Sequence, residues 1–567
     1  MRGNSGLSGL WDRQLDSYPN TGPRIVYLAM TVIVTVMLYY ELYVIGGVST
    51  FVLADLHMGF TFFVIATAFG NLIGAFGSLF AGLTDRLGRT NVVVVGLIIT
   101  GILILVAVPA ATNRWELFVF LWVVGFLEGI CLVATPALIR DFSPQTGRAT
   151  AMGFWTTAPV LGSLIVAVIA SNTIAANARS SVWTHQFRIC GWAGIGVAIL
   201  AIFFLKELSP GLRDQLMVST RDRILVEARA KGIDVAAAIR NPWRQLLKLD
   251  VIVSSLGISL FLVIYYTAVG FAVIFFTTIY GFSVKDADGL GNWNWGFNII
   301  AVIIFGFLSD AFHVRKPFMV IGGVFSAVMT VFWLEQIGHH PGYYHLATLV
   351  AILSFCLGIA YVPWMASFTE TVEARNPALT ATGLAIWGWI LRVVVFIVFL
   401  ILPAVINTVT PLVNYGTGVQ QGAAKYGPEV AAVAAHPKLF TELQAHPTPA
   451  LIAQAEQAVG PKVFGEIVAA NGAPGNAALY GKGPTGKPLN LFQYTLAHGT
   501  KVESAAARSP GQWRTWYWIC FGCIIFFLLT VPITRGRWSP RAAKADEAAH
   551  EKMVQEELAK LRAKPST

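Results

Sequence analysis

Charge is what this sequence has least of. Asp, Glu, Lys and Arg make up 12% of its 567 residues, against 55% hydrophobic, and the mean hydropathy is +0.63. Soluble globular chains carry about twice that share of charge, so a water-soluble fold is excluded and a polytopic membrane protein is expected. Cysteine is scarce too. The five present, Cys131, Cys190, Cys356, Cys520 and Cys523, all fall in apolar runs and read as small buried hydrophobes, not as disulfides or metal ligands. Absent as well are a phosphate-binding loop, a His-Glu-x-x-His pair, zinc-spaced cysteines and a Gly-x-Ser-x-Gly elbow, so neither an enzyme nor a bound cofactor or metal is expected. His339-His340 reads as a solvated pair in an outer turn. The stretch from Met1 to Arg24 lacks the apolar core of a signal peptide.

The net charge is +10, but its placement argues against nucleic acid as a partner. Basic residues gather in alternate loops: Arg2, Arg13 and Arg24, then Arg140, Arg148, Arg315, Lys316, Arg375, the 206–250 segment and the C-terminal tail. The intervening loops hold only a few, such as Arg114, Arg179 and Lys285. The positive-inside bias then puts both termini in the cytoplasm and makes the number of spans even.

Apolar runs of about 20 residues, enough to cross a bilayer as helices, begin near Ile25, Phe60, Val92, Leu117, Ala149, Ile189, Val251, Gly291, Pro317, Leu346, Leu379 and Trp513. That makes twelve. The expected organisation is a cytoplasmic tail (1–23), a six-helix bundle (24–205), a basic cytoplasmic loop (206–250), five further helices (251–406), an Ala/Gly/Pro-rich insert (407–511), the last helix (512–534) and a cytoplasmic tail (535–567). By parity the insert lies outside the cytoplasm. It contains helical patterns at Pro428–Ala435 and Thr448–Val459, and reads equally as a partly ordered loop or a small folded cap. The tail from Ala542 to Arg562 reads as a charged, solvated helix.

Between the second and third runs lies Ala81-Gly82-Leu83-Thr84-Asp85-Arg86-Leu87-Gly88-Arg89. An acid, two bases and a glycine able to take positive φ within five residues form an ordered ionic turn, more than a generic basic loop needs. The stretch resembles the loop joining the second and third helices of the major facilitator superfamily, Gly-x-Leu-Ala-Asp-Arg-x-Gly-Arg-Lys, with Leu83, Asp85, Arg86, Gly88 and Arg89 matching and Ala81 and Thr90 differing. A repeat within the chain agrees. Tyr39-Tyr40 recurs as Tyr265-Tyr266 at an offset of 226, Asp85 as Asp310 at 225, Glu128-Gly129 as Leu357-Gly358 and Asp141 as Glu370 at 229, and Gly153 as Gly383 at 230. The resemblance implies an all-α integral membrane protein of twelve transmembrane helices in two pseudo-symmetric six-helix bundles, with a site between them. It also implies that Asp85, Arg86, Gly88 and Arg89, with Arg140, form a cytoplasmic latch, of which Asp310 and Arg315 are the second-half copy.

Ionisable side chains inside spans cost about 2.5–3.5 kcal/mol each on insertion scales unless they meet a partner or a wet cavity. Three stand out. Glu41 lies in the first run, Glu128 near the middle of the fourth and Arg392 near the middle of the eleventh. The resemblance places the first and fourth helices on the central cavity, where either acid could take up a proton, so Glu41 and Glu128 are the proton-coupling candidates. Arg392 cannot shed its charge and needs a counter-anion, either a carboxylate such as Glu128 or an anionic substrate. Trp387 and Trp389 could line a pocket beside it, but the resemblance makes the eleventh helix a peripheral one, which favours packing. In the fifth run, Gly153-x-x-x-Thr157-Ala158-Pro159-Val160-Leu161-Gly162-Ser163 is similar to a pattern of the superfamily's drug/proton antiporters, and also suits close packing of small residues. The stretch from Glu370 to Arg375 looks like one found in metabolite symporters.

The expected protein is a monomeric secondary transporter of the bacterial inner membrane, working by alternating access on a small molecule, with protons and the lipid bilayer as its other partners. Proton-coupled uptake of an organic acid or related metabolite is the first reading. Drug/proton efflux is the second, and a non-transporting membrane sensor is a reading of another class.

Overall fold

A bilayer core offers no water to backbone amides and carbonyls, so a spanning chain must satisfy them within helices. The computed structural model of this protein does so. It describes residues 13–80, 87–143, 154–209, 247–312, 314–375, 380–483 and 486–534, with a few isolated positions besides. Among these, eleven helices are long and apolar enough to cross a membrane, and Ala158–Thr173 is a shorter apolar one. The first half holds α1 (Thr21–Gly47), α2 (Phe60–Gly77), α3 (Arg89–Ala110), α4 (Arg114–Phe142), α5 (Ala158–Thr173) and α6 (Trp183–Phe204). The second holds α7 (Leu249–Tyr280), α8 (Val284–Ala311), α9 (Lys316–Gln336), α10 (Tyr343–Arg375), α11 (Thr380–Val405) and α12 (Leu491–Thr530).

Local chemistry sets the helix ends. Asn113 caps α4 by accepting from the amides of Trp115 and Glu116, and Gly281 in the left-handed conformation ends α7. At α8 the start differs from the expected Gly291. Ser283 Oγ accepts from the Asp286 amide at 3.1 Å and donates to the Asp286 carboxylate at 2.7 Å, a reciprocal cap that winds the helix from Val284. One consequence is that Asp288, outside the run as read from sequence, lies within the helix. The only strands among the described residues are two residues long: Gln14–Leu15, before α1, pairs in parallel with Glu207–Leu208, after α6.

Among the described residues the halves meet along three seams. α2 lies against α11 through the Phe69–Phe396 and Phe76–Trp389 edge contacts, with ring centroids 5.4 and 6.1 Å apart. α5 meets α8, where Asn292 donates to Ser171 Oγ at 3.0 Å. α1, the short helix Ser49–Asp55 after it and the start of α2 meet α7 at the end remote from Arg89 and Arg315: Gly46 lies so close to the Val269 carbonyl that a side chain there would collide with it, Thr50 and Thr277 hydroxyls are 3.2 Å apart, and Phe60 and Phe63 of α2 pack edge-on against Phe271.

The segment Ile406–Gln512 is a compact unit of its own, a folded piece and not a loose loop. Helices Val409–Ala435, Pro437–Ala445, Pro449–Val459 and Pro461–Asn471 enclose two small cores, one around Val419, Tyr494 and Val502 and one around Ile467, Ala470 and Phe492. Thr448 caps the third, as its sequence suggests, whereas Pro428 falls inside the first, two residues past a kink at Tyr426. Buried Asn490 ties the unit together: its amide donates to the carbonyls of Ala470, Asn471 and Ala473 at 3.0, 3.1 and 3.0 Å, and its oxygen accepts from the Gln493 amide at 2.9 Å. Asn490→Ala leaves these carbonyls unsatisfied and is expected to destabilise the unit by about 2 kcal/mol, measured as faster limited proteolysis between residues 472 and 490 with the membrane helices left intact.

Candidate transport site and loop-side ion pairs

Successive residues on a helix point about 100° apart, and in α1 this sends Tyr39, Tyr40 and Glu41 to three different neighbours. Tyr39 lies within electrostatic reach of both Glu128 of α4 and Arg392 of α11, and Tyr266 of α7 and Tyr361 of α10 join the same group. Tyr40 sits beside Cys190 of α6. Glu41 turns into the first half: its Oε2 accepts from Thr100 Oγ1 of α3 at 2.9 Å, and its Oε1, which has no hydrogen-bond partner, occupies the space that a side chain at Gly194 of α6 would need. Both carboxyl oxygens thus lie against helices of the first half. Residue 41 borders a cavity of about 90 Å³ also lined by Asn71, Trp122, Tyr266 and Phe399, yet its oxygens are held between α3 and α6.

Glu128 is buried and neither carboxylate oxygen has a hydrogen-bond partner. Glu41 is within its electrostatic reach, and Cys131 and Cys190 lie near both acids. Two neighbouring carboxyls in so dry a place strongly oppose carrying charge together. Arg392 is half-buried and, among the described residues, forms no ion pair with Glu128; what lies near it is the aromatic pair Tyr39 and Tyr266. The tryptophans beside it are packing residues. Trp387 lies tilted against Trp364 of α10, ring centroids 5.4 Å apart, and Trp389 meets Phe76 of α2. The small residues of α5 are packing residues also, with Gly162 against the α1 backbone at Tyr39 and Tyr40.

Two acidic and aromatic features were not singled out from the sequence. Asp288 of α8 is 4% exposed, and its Oδ2 has no hydrogen-bond partner. Tyr361 adds a third helix to the tyrosine group; its only signal was an aromatic residue in the middle of the tenth run.

At the loop end, Asp85 and Arg86 lie outside the described residues, as does the side chain of Arg140. Gly88 has φ +91°, and Arg89 begins α3 with its amide donating to Glu207 at 2.8 Å and its guanidinium 2.7 Å from Asp141 of α4. Arg315, before α9, bonds Asp310 at 2.6 Å and Glu370 of α10 at 3.0 Å, and donates to Ser309 Oγ at 2.8 Å. Arg89 and Arg315 stand 226 apart and their partners Asp141 and Glu370 stand 229 apart, so the repeat read from sequence reappears as two equivalent ion pairs. Asp141, adjacent to the expected Arg140, is the α4 residue that meets Arg89.

The sequence model of the Major Facilitator Superfamily matches residues 31–399. The chain belongs to this superfamily. Among solved structures of superfamily-like fold, a bacterial homologue of the human lysosomal transporter Spinster, inward-facing and unoccupied, superposes with a TM-score of 0.53 at 16% identity over 92% of this chain and 100% of that one. A D-xylose-proton symporter gives 0.51 at 18% identity over 67% and 89%. At such identities the likeness is one of fold. Among sequences, the MFS transporter asaE of Aspergillus flavus is 35% identical over 100 residues, 16% of this chain and 23% of the relative. The multidrug resistance protein MdtL of Klebsiella pneumoniae is 27% identical over 178 residues, 30% and 40% respectively. The chain thus matches less than half the length of either relative.

The ion pairs of the two halves differ in exposure: Arg89 and Asp141 side chains are 16% and 10% exposed, whereas Arg315, also 16% exposed, meets acids that are 66% (Asp310) and 49% (Glu370) exposed. Asp141→Ala is expected to cost about 3 kcal/mol and Arg315→Ala about 1 kcal/mol or less, so the first lowers the melting temperature of the purified protein clearly more than the second.

Proposed function

We propose that this membrane transporter carries a small organic acid into the cell, driven by protons, with its two halves rocking around the Tyr39, Tyr266, Tyr361 and Arg392 group. The observation that carries the reading is Arg392, a permanent cation in mid-span with aromatic neighbours and no carboxylate pair among the described residues. A guanidinium offers planar, paired donors that match a carboxylate, and the tyrosine hydroxyls add donors and acceptors around it. Glu128, buried without a partner for either oxygen, is the proton carrier, with Glu41 beside it as the second candidate. The protein acts as a monomer in a bacterial inner membrane, both termini in the cytoplasm, and the Arg89 and Arg315 pairs belong to the cytoplasmic latch.

Drug/proton efflux is the second reading, favoured by the stretch of similarity to a multidrug resistance protein and by two buried acids suited to cationic solutes. Proteoliposomes under an imposed proton gradient decide between them when offered carboxylates, organic cations and neutral solutes. The proposal expects uphill accumulation of a carboxylate alone, whereas accumulation or expulsion of cations overturns it.

Two substitutions sharpen this. Arg392→Gln removes a charge-assisted bond of about 2 kcal/mol, so apparent affinity for the carboxylate should fall roughly 30-fold. Glu128→Gln keeps shape but not the titratable proton; it should preserve exchange of labelled substrate across the membrane and abolish accumulation. Normal accumulation by that variant removes Glu128 from the coupling step.

A further inference from the structure

We propose that Asp288 is a second proton-binding site, one whose protonation is required for the halves to close at the α1–α7 end. The carboxyl faces a cavity of about 40 Å³, room for water but for no organic substrate. Its walls come from both halves. From the first, α1 contributes Tyr43 and Gly47, with Asp288 Oδ1 over Gly47, and α5 contributes Ser163 and Val166; from the second, α7 adds aliphatic residues and α8 itself Trp295. Tyr43 is the one titratable side chain among these residues, and no Lys, Arg, His or second acid lines the cavity. On α8 itself, Lys285 is exposed and Asp286 is engaged with Ser283.

The argument is one of solvation. In the closed arrangement the acid is 4% exposed with an unpartnered oxygen, and an ionised carboxylate so placed is strongly disfavoured. Parting the halves at this end removes the α1 and α5 walls and admits water, which stabilises the ionised form. Closure must then either return a proton to Asp288 or bury a bare charge, so proton binding and closure are linked. A metal cation would need several oxygen ligands, and the side-chain oxygens of the lining residues are, besides the carboxyl, the Tyr43 and Ser163 hydroxyls. The inference needs alternating access but not the assignment of Glu128 or of the substrate.

Closure can be read without substrate or gradient. With cysteines at Thr50 and Thr277, whose hydroxyls touch across the seam, oxidative cross-linking is followed by mass spectrometry as a function of pH. It is normalised to a pair within the first half, Thr173→Cys with Gln186→Cys, whose side chains are hydrogen-bonded at 2.8 Å, which corrects for thiol reactivity. The normalised yield is expected to fall about tenfold per pH unit above its midpoint, and in Asp288→Asn to stay at the acid-limit value throughout, with Asp288→Glu restoring the dependence. If the Asn variant fails to insert, Asp288→Ser serves the same comparison. A parent yield indifferent to pH, or the same pH dependence in the uncharged variant, overturns the proposal. So does a yield that rises with sodium at constant pH and loses this rise in the variant, which would make the site one for a metal cation.

Discussion

The price of an ionised carboxyl away from water is the constraint on which this membrane body depends. On insertion scales it is about 2.5–3.5 kcal/mol at the centre of a span, a sizeable part of a protein's net stability. Acids at the loop end escape it in two ways: half-buried Asp141 meets Arg89, and Asp310 and Glu370 keep contact with water while they pair with Arg315. Acids within the spans have no such relief. Glu41 gains one hydroxyl, while both oxygens of Glu128 and one of Asp288 have no bond. Residues held at such cost are where a transporter can store and release a proton.

The same arithmetic shapes how the halves touch. The charged pairs described above lie within a half, Arg89 with Asp141 in the first and Arg315 with its acids in the second, and none of them bridges a seam. The seams rely on aromatic edges, small residues and single hydrogen bonds such as Thr50 to Thr277 and Asn292 to Ser171. Contacts of this kind cost little to break and re-form, as a rocking motion requires.

The spans and the repeat were legible because length and apolar composition are one-dimensional properties; even the ion pairs could have been drawn from the 226 and 229 offsets. Direction was not legible. Glu41 follows Tyr39 by two residues, yet Tyr39 reaches the second half and Glu41 faces α3 and α6, since a rotation of about 200° separates them and the absolute orientation of α1 is set by its packing. Asp288 was missed for a different reason: the apolar run begins after it, and only the Ser283–Asp286 cap carries the helix back past it. Trp387 and Trp389, close in sequence to half-buried Arg392, meet Trp364 and Phe76 on neighbouring helices, in keeping with the packing reading of the eleventh run.

The small strand pair at the loop end joins the segment before α1 to the one after α6, through Glu207 N to Arg13 O at 3.2 Å and Ser209 N to Leu15 O at 2.9 Å. Arg13 and Glu207 are buried there, Arg13 donating to Asn91 at 3.0 Å and Glu207 accepting from Arg89. All of these residues lie within the first 209, so the clasp can shut while the second half is still on the ribosome. The two ends of the six-helix bundle are thus fastened to each other by contacts that need no residue of the second half.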